Sequence, residues 1–558
     1  MSYFVAFCGL YVQIKFSREM GKQIMRRHLS VWITVICLFC LAFTFSGCAG
    51  KQTHKHTAMT ISGKSATCTE TGLTDGVVCS DCGAVIEEQY VIPKLEHIPE
   101  KASGKAATCT STGLTDGEIC LVCGEVLVKQ QNIYYEEHVY ENGRCKFCKE
   151  QEPVLSQGLE YTLNEDGKSY SVTGFGTTEN WCIVIPEQHN GKPVTTIGKD
   201  AFNSYPIVSV IMPDSITVIE ENAFRSCFDL TKVYMSRNLT TIGRDAFEYC
   251  HSLKEVVLPN SVVEIGPTAF SACYDLKKLV LSENLTYIDR YTFSSCHALE
   301  SVTLPDSVTK LGEYAFSYCR SLKEINFSEN ITEIGEGAFL LCESLKSLTF
   351  PKTVKQINDG AFELCYALES VVIPEGVTKI GKIAFAYCEN LTDVRMSDGV
   401  VIIEKEAFMD CTSLAYIELP DSIAQIDDGA FSGCGLKRIA LPKGVRKMGK
   451  RVFENCKKLE TIIFPAEMNC IDEKMFSGCT FLSSITIPEN ITYICPSAFA
   501  DCRSLVAVTF ENPNDWKVYR LNDGEREVLD ISLEYPWRNS EYLRDTYVKH
   551  HWECVRLS

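Results

Sequence analysis

The stretch LKEVVLPNSVVEIGPTAFSAC, residues 253–273, decides the fold, because related versions of it recur along most of the chain. Its phenylalanine recurs every 23 residues, with two steps of 22. The members of this series are Phe202, Phe224, Phe247, Phe270, Phe293, Phe316, Phe339, Phe362, Phe385, Phe408, Phe431, Phe453, Phe476 and Phe499. Many copies of one motif in phase predict a solenoid, in which each copy forms one turn and neighbouring turns close a shared core.

The alternation within this stretch predicts the path of one turn. Leu253, Val256 and Leu258 face inward along a short strand, and Pro259 ends it because proline cannot donate the next ladder bond. Gly266 marks a tight bend where a side chain would clash. The remaining residues, up to the cysteine, predict a short helical or 3₁₀ return. The expected fold class is therefore an α/β repeat solenoid of parallel strands with helical or 3₁₀ returns.

Two columns run through the repeats. The phenylalanines read as the spine of the core. A cysteine follows each of them by three residues, from Cys227 to Cys502, and only the first copy departs, with Tyr205. A metal or disulfide ladder is one interpretation of the cysteine column. We favour free thiols that serve as small buried apolar groups, because buried unpaired cysteine is common.

The combination of strand, proline, Ile-Gly and Ala-Phe-x-x-Cys resembles the BspA-like leucine-rich repeat. Residues 158–194 resemble the β-hairpin cap that opens such arrays, and residues 540–547 with Trp552 resemble the segment that closes them. Members of this family are bacterial surface or secreted proteins linked to adhesion and to binding host or matrix proteins. The resemblance implies the same role here.

A cysteine- and histidine-rich module precedes the repeats. Segments 62–83 and 103–124 match across an offset of 41 residues, and a shortened third copy follows them. The candidate metal ligands are His56, Cys68, Cys79, Cys82, His97, Cys109, Cys120, Cys123, His138, Cys145 and Cys148. A Thr-Asp-Gly tripeptide in each full copy predicts a β-hairpin, so that each copy is expected to be a small β-knuckle.

Three cysteines and one histidine form a known tetrahedral zinc shell. A unit of this size cannot bury enough apolar surface to fold unaided, so metal or disulfides must hold it together. Three cysteines pair badly within one copy, which favours structural zinc; export, which favours oxidation, keeps disulfides open. The spacing leaves open whether His56 or His97 completes the first set. The segment resembles the zinc-ribbon-like repeats of proteins exported by anaerobic bacteria, and that resemblance implies no activity.

The first fifty residues read as an export signal. A basic patch at 22–27 precedes the apolar run 31–45, which is short for a spanning helix but suits a signal-peptide core. The run ends in FSGC, residues 45–48, which resembles the bacterial lipobox and implies lipidation of Cys48. Phe45 departs from the leucine usual in that pattern, and an uncleaved membrane anchor is the alternative. Translation from Met20 or Met25 would give an ordinary basic start.

The expected organisation follows from these patterns. The segments are a signal peptide (1–48), a tether (49–58), zinc-ribbon-like repeats (59–150), an N-terminal β cap (151–197), the solenoid (198–511) and a C-terminal cap (512–558). A net charge of −18 disfavours nucleic acid. No Gly-x-Ser-x-Gly, His-Glu-x-x-His or phosphate-loop motif occurs in the sequence, and we expect no enzyme.

These observations predict a cell-surface lipoprotein, held to the membrane by its lipid alone, whose solenoid binds an extracellular protein or glycan. The alternatives are an envelope scaffold without a specific ligand and an accessory that presents substrate to a surface enzyme. The strand residues expected to face outward are Tyr234, Val257, Val280, Thr303, Asn326, Thr349, Val372, Arg395, Glu418, Ala440, Ile463 and Thr486. This row has no evident cluster of Trp, Tyr and Arg of the kind that marks a binding hot spot.

Overall fold

A computed structural model describes residues 57–80, 85–514, 516–522, 525–529 and 531–554. The described chain forms two compact units, one built from 57–102 with 117–129 and the other from 103–116 with 130–554. The predicted signal peptide, Cys48, His56 and Cys82 lie outside the described residues. Within the described residues, no helix is both long enough and apolar enough to cross a membrane.

The second unit is a solenoid of parallel strands, as the repeat predicts. All but one of the described turns contribute a strand to a first row of parallel strands, here called the face, which pair in runs of two or three. The face strands are Cys182–Val184, Ser209–Ile211, Lys232–Tyr234, Glu255–Val257, Lys278–Val280, Ser301–Thr303, Glu324–Asn326, Ser347–Thr349, Ser370–Ile373, Asp393–Met396, Arg438–Ala440, Thr461–Ile463, Ser484–Ile487 and Ala507–Phe510. Residues 415–419 are described and form no strand, so the face is interrupted at that turn.

A second ladder, here called the side ladder, follows the face strand of each turn, beyond a residue that is proline in most turns and serine at Ser236, Ser282, Ser328 and Ser397. Its strands are Lys192–Ile197, Val218–Ile219, Thr241–Ile242, Glu264–Ile265, Tyr287–Ile288, Lys310–Leu311, Glu333–Ile334, Gln356–Ile357, Lys379–Ile380, Ile402–Ile403, Gln425–Ile426, Lys447–Met448, Cys470–Ile471 and Tyr493–Ile494. The glycines after these strands meet the neighbouring turn closely. A Cβ on Gly335 would lie 2.6 Å from the carbonyl carbon of Gly312, which explains the preference for glycine there.

The returns are turns, and the expectation of helical or 3₁₀ returns is wrong at this level of detail. Two residues around each phenylalanine adopt left-handed backbone angles, for example Asp245 (φ 54°) and Tyr249 (φ 62°). In this conformation the N–H of Phe247 donates to the carbonyl of Ala269 on the next turn at 2.7 Å. In a helix these N–H groups would donate within one copy of the repeat. Here they donate to the next copy and hold neighbouring turns of the solenoid together.

The phenylalanine column forms the core spine that the sequence predicts. Each ring from Phe202 to Phe499 stacks on the next one, with centroids 5.0–6.0 Å apart and planes within 18° of parallel. The widest spacing, 6.0 Å, separates Phe431 from Phe453, where the repeat is one residue short. The other 22-residue step, from Phe202 to Phe224, has a ring spacing of only 5.1 Å, so the spacing of the rings does not simply follow the length of the repeat.

The cysteine column consists of buried free thiols, as we expected. Each thiol from Cys227 to Cys502 donates to the carbonyl oxygen of the phenylalanine one turn earlier, at 3.0–3.5 Å. Tyr205 stands at this position in the first copy, where its ring stacks on Phe175 of the preceding segment (centroids 4.7 Å apart).

Both ends of the solenoid are covered. At the start, Glu160–Leu163 and Tyr170–Gly174 form an antiparallel hairpin that joins Lys192–Ile197, which also pairs with Gln188–His189. The elements at the far end are the strands Trp516–Asn522, Glu525–Leu529 and His551–Cys554, the α-helix Pro536–Glu541 and the π-helix Tyr542–Thr546. There the side-chain amide of Asn539 donates to the carbonyl of Val508, which lies in the last face strand, at 2.9 Å.

The cysteine-rich copies are made of very short strands. In the first unit these are Ala58–Ile61, Gly72–Leu73, Gly76–Cys79, Val85–Glu87, Val91–Ile92, Pro99–Ala102, Gly117–Cys120 and Val126–Val128. In the second unit they are Gly113–Leu114, Asn132–Ile133, Tyr140–Glu141 and Arg144–Cys145.

The predicted Asp-Gly hairpin is wrong. Gly72–Leu73 pairs with Val91–Ile92, whereas Gly76–Cys79 pairs with Ala58–Ile61 and Val85–Glu87. The Asp-Gly step therefore carries the chain from one sheet to another. The carboxylate of Asp75 instead accepts a hydrogen bond from the N–H of Gly63, and this contact recurs between Asp116 and Gly104.

Candidate metal centres and binding face

The Cys-x-x-Cys pair of the second copy forms the tip of a hairpin. Gly117–Cys120 pairs antiparallel with Val126–Val128, and Gly124 takes a left-handed φ of 77° at the turn. The backbone N–H of Cys123 donates to the sulfur of Cys120 and lowers the pKa of Cys120 to about 5. Backbone N–H groups aimed at sulfur stabilise a thiolate, which is the form that binds metal.

The structure brings eight of the predicted ligands together in two groups. The first group is Cys68, His97, Cys120 and Cys123, and the second is Cys109, His138, Cys145 and Cys148. Within each group the donor atoms all lie within 4.8 Å of one another.

The distances between the ligand atoms fit tetrahedral coordination of one metal ion in each group. The sulfurs of Cys68 and Cys120 are 4.0 Å apart, and those of Cys109 and Cys145 are 3.8 Å apart. Nδ1 of His97 lies 3.5 Å from Cys123 Sγ, and Nδ1 of His138 lies 3.4 Å from Cys148 Sγ. Zinc–ligand bonds of about 2.3 and 2.1 Å at tetrahedral angles require about 3.8 Å between sulfurs and about 3.6 Å between sulfur and nitrogen.

Each group takes its ligands from two consecutive copies. The lone cysteine comes from one copy, and the histidine and the Cys-x-x-Cys pair come from the next. The three cysteines of one copy therefore do not share a shell, which corrects the simpler grouping within a copy. His97 lies with Cys120 and Cys123 of the second copy, and Cys79 belongs to neither group. Sequence spacing could not show this exchange. Every ligand type recurs at the same offset of 41 residues, so the spacing does not indicate which histidine and cysteines share one ion.

A glutamate carboxylate lies near the second ring nitrogen of each histidine, and sequence reasoning missed both glutamates. Nε2 of His97 lies 3.4 Å from a carboxylate oxygen of Glu125, and Nε2 of His138 lies 3.7 Å from one of Glu150. Carboxylates that hold the second nitrogen of a metal-binding histidine fix its tautomer and its ring orientation. A signal was present, since each glutamate follows its Cys-x-x-Cys pair by two residues.

The residues just before the third copy pack against the first turns of the solenoid. The hydroxyl of Tyr134 donates to the carbonyl of Met235, and the hydroxyl of Tyr135 donates to the carboxylate of Glu255, both at 3.1 Å. Burial raises the pKa of Tyr134 to about 12. The guanidinium of Arg237 pairs with Glu137 of the same segment.

The second group of ligands is tied to this contact. The ring of His138 lies edge-on to the ring of Tyr234, at a centroid distance of 6.5 Å. The predicted outward row is correspondingly covered at its start: Val257 is only 7% exposed, and Tyr234 and Val280 are half-buried. From Thr303 to Thr486 every predicted member of the row is exposed.

The interrupted turn on the face carries a cluster that the sequence did not reveal. A cavity of about 1030 Å³ is lined by Arg395, Tyr416 and Glu418 among others. Tyr416 is 51% exposed, and the guanidinium of Arg438 lies 5.1 Å from the centre of its ring. We call Arg395, Tyr416, Glu418 and Arg438 the face cluster. The predicted outward row contains neither Tyr416 nor Arg438 and so did not reveal this cluster, whose residues lie on successive turns, far apart in sequence but adjacent in space.

Comparisons with known proteins agree with this architecture. The chain is similar to a leucine-rich repeat protein from Bacteroides ovatus, at 26% identity with a TM-score of 0.50, over 60% of this chain and 94% of that one. It is also similar to a leucine-rich cell surface protein from Faecalibacterium prausnitzii, at 25% identity, TM-score 0.36, over 65% and 96%. A third structure is the pneumococcal vaccine antigen PcpA, at 22% identity, TM-score 0.42, over 62% and 92%.

Among curated proteins, nothing matches the chain. The family described as "BspA type Leucine rich repeat region (6 copies)" matches residues 195–322, 286–415 and 401–519, which together span more than half of the 558 residues. The chain therefore belongs to the BspA-type leucine-rich-repeat family.

Proposed function

We propose that this protein is an exported bacterial surface protein, an adhesin-type receptor whose solenoid face binds an extracellular protein. The face cluster is the observation that carries the proposal. Tyrosine and arginine are enriched at binding hot spots because they combine a large apolar area with directed hydrogen bonds. The exposed row from Thr303 to Thr486 extends the same surface along the solenoid. Family membership supports binding, and not catalysis, as the role of the repeats.

The charges of the face favour a polar protein partner. Arg395 is paired with Asp393 at 3.1 Å, with side chains 73% and 48% exposed. Exposed pairs of both signs guide orientation on the partner more than they add affinity. A glycan remains the second ligand class, and the scaffold and the substrate-presenting accessory remain the alternative roles. Lipid anchoring through Cys48 completes the proposed surface location.

The two Cys₃His groups are structural zinc sites on this proposal. Their donor set is one that zinc takes in closed, four-coordinate sites, which have no open position for a substrate. The supporting glutamates and the spacing of the donor atoms support zinc over disulfides. Zinc then gives the cysteine-rich segment a fixed fold without a large apolar core.

A solid-phase binding screen tests the binding proposal. The full chain is applied to immobilised extracellular matrix proteins and, separately, to polysaccharides. For any protein that binds, the double variant Tyr416→Ala/Arg438→Ala should bind about ten- to thirtyfold more weakly, as expected for hot-spot residues. Tyr318→Ala is the matched control, because Tyr318 is an exposed tyrosine (37%) outside the face cluster.

Three outcomes would redirect the proposal. Equal loss of binding in the double variant and the control would remove the face cluster from the interface. Binding to polysaccharide alone would replace a protein ligand with a glycan. A complete failure to bind either class would leave the scaffold, unless an envelope enzyme co-purifies with the chain and supports the accessory role.

A further inference from the structure

Two cysteines near the end of the solenoid lie outside both the cysteine column and the metal groups. Cys470 begins the side strand Cys470–Ile471, and Cys495 directly follows the side strand Tyr493–Ile494 of the next turn. Their sulfurs are 4.0 Å apart, and both residues are half-buried. The N–H of Cys495 donates to the carbonyl of Ile471 at 2.8 Å, so that the backbone holds the two turns in this register.

The pair differs from the column thiols in what its sulfurs contact. A column thiol such as that of Cys365 is fully buried and donates to a phenylalanine carbonyl; burial raises its pKa to about 12. A fully buried thiol of this kind supplies little thiolate and is closed to reagents, and both conditions block exchange with a disulfide. The Cys470–Cys495 pair is accessible, and its sulfurs contact each other.

The local hydrogen bonds also separate the two members of the pair. The two sulfurs share a hydrogen bond, and this contact lowers the pKa of Cys470. The same bond is the main cause of a raised pKa at Cys495, together with burial and the carboxylate of Asp472, whose oxygen lies 3.6 Å from the Cys495 sulfur. The Cys495 sulfur also lies beside the Asp472 carboxylate, which disfavours a thiolate there, so Cys470 is assigned as the attacking sulfur and Cys495 as the resolving one.

We propose that Cys470 and Cys495 are a redox modification site, at which a disulfide-bonded oxidant converts the two thiols into a disulfide between neighbouring turns. In the first step the Cys470 thiolate attacks one sulfur of the oxidant, forms a mixed disulfide and expels the other sulfur as a thiolate. In the second step Cys495 loses its proton to solvent, attacks the Cys470 sulfur and expels the second oxidant thiolate. Two protein thiols lose two electrons and two protons, and one oxidant disulfide becomes two thiols.

The bond would lie where the solenoid meets its terminal cap. The strand Tyr493–Ile494 pairs on its other edge with His551–Cys554 of the cap. A disulfide between the last two side-ladder turns would restrict opening of this end, because it removes conformations from the unfolded segment 470–495. Column cysteines would remain thiols, since their sulfurs are committed to carbonyl oxygens within the core.

The test uses the full chain with its metals in place. The reduced protein is incubated with oxidised glutathione, quenched, alkylated and mapped by peptide mass spectrometry. The expected product is a cross-linked pair of peptides containing Cys470 and Cys495, which dithiothreitol reverses, while the peptide of Cys365 is alkylated only after unfolding. Hydrogen exchange across 470–495 should be slower in the oxidised protein than in the reduced one.

Two conservative variants assign the order of attack. Cys495→Ser should stop at a glutathione adduct on Cys470, and Cys470→Ser should leave Cys495 unmodified over the same time. Circular dichroism establishes that both variants remain folded. Absence of the cross-link in folded wild-type protein, or equally fast adduct formation in both variants, would overturn the proposal.

Discussion

Cysteine has two different structural roles in the two halves of this chain. In the solenoid, each column thiol fills a small space within a core dominated by phenylalanine, leucine and isoleucine. In the described part of 57–150, the cysteines themselves are the core. The fully buried apolar residues there are Cys68, Cys79, Cys109, Cys120 and Cys145. Aliphatic side chains of the same region are largely exposed, for example Val85 (62%) and Val126 (60%).

The difference shows what holds each region together. A stacked solenoid spreads its stability over many similar contacts between neighbours, so that the loss of one thiol is a local event. A knuckle in which most of the buried side chains are metal ligands depends on the metal, so that the loss of one ligand removes much of the core. The same substitution should therefore have very different effects in the two regions.

Removal of metal should have the largest effect. Chelation of the full chain should unfold the segment 57–150 and leave the solenoid folded, because structural zinc contributes about 10–16 kcal/mol to small domains at neutral pH. Elemental analysis should find at least two zinc ions per chain, one for each ligand group. Hydrogen exchange with mass spectrometry, before and after chelation, would locate the change.

A zinc-free protein in which these cysteines are already oxidised would contradict this prediction. It would establish a disulfide-held stalk in place of metal knuckles. Free thiols in a zinc-free and well-protected segment would contradict both interpretations.

Loss of one ring from the spine should have the next largest effect. Phe362 is fully buried and stacks on Phe339 and Phe385 at 5.3 and 5.5 Å. Phe362→Ala should lower the free energy of unfolding by about 3–5 kcal/mol, because it leaves a cavity that the turns cannot close. Urea denaturation measures the loss. Val372→Ala, at a position 47% exposed, is the control and should change little.

Much of the solenoid was predictable because its signals repeat. The period, the inward strand residues, the phenylalanine spine and the unpaired thiols all follow from one motif read many times. The geometry of the return was not predictable, because left-handed residues such as Asp245 and Tyr249 carry no common residue type. Their conformation is favoured by hydrogen bonds to the next turn, which a single copy of the motif does not show.

The candidate sites were predictable in kind but not in connectivity. The residue types pointed to a Cys₃His shell, yet exchange between copies joined Cys68 to Cys120 and Cys123. The Asp-Gly step resembled a hairpin turn because that dipeptide favours one, but the Asp75 carboxylate is occupied by the N–H of Gly63. Tyr416 and Arg438 come together only when successive turns stack.

Substitution of Glu150, whose carboxylate lies near the ligand His138, should have an effect of intermediate size. Glu150→Gln keeps the size of the side chain but removes the negative charge that lies 3.7 Å from Nε2 of His138. The zinc affinity of the second group should fall about 10- to 100-fold. A competition titration with a chromophoric chelator measures this change. Glu152→Gln alters an exposed carboxylate two residues away and should leave the affinity unchanged; a similar loss in both variants would point to general electrostatics.

The smallest expected effect comes from a column thiol. Cys365→Ala removes a thiol that donates to the carbonyl of Phe339 at 3.3 Å. That carbonyl also accepts the N–H of Cys342 at 3.1 Å, so the substitution leaves no buried acceptor without a partner. The cost should be about 1 kcal/mol, the usual contribution of one hydrogen bond, and urea denaturation would measure it. Cys123→Ala, at a metal ligand, should instead unfold the first unit. If Cys365→Ala proved as damaging as Cys123→Ala, the two cysteine populations would share one role, and the contrast between the two regions would fail.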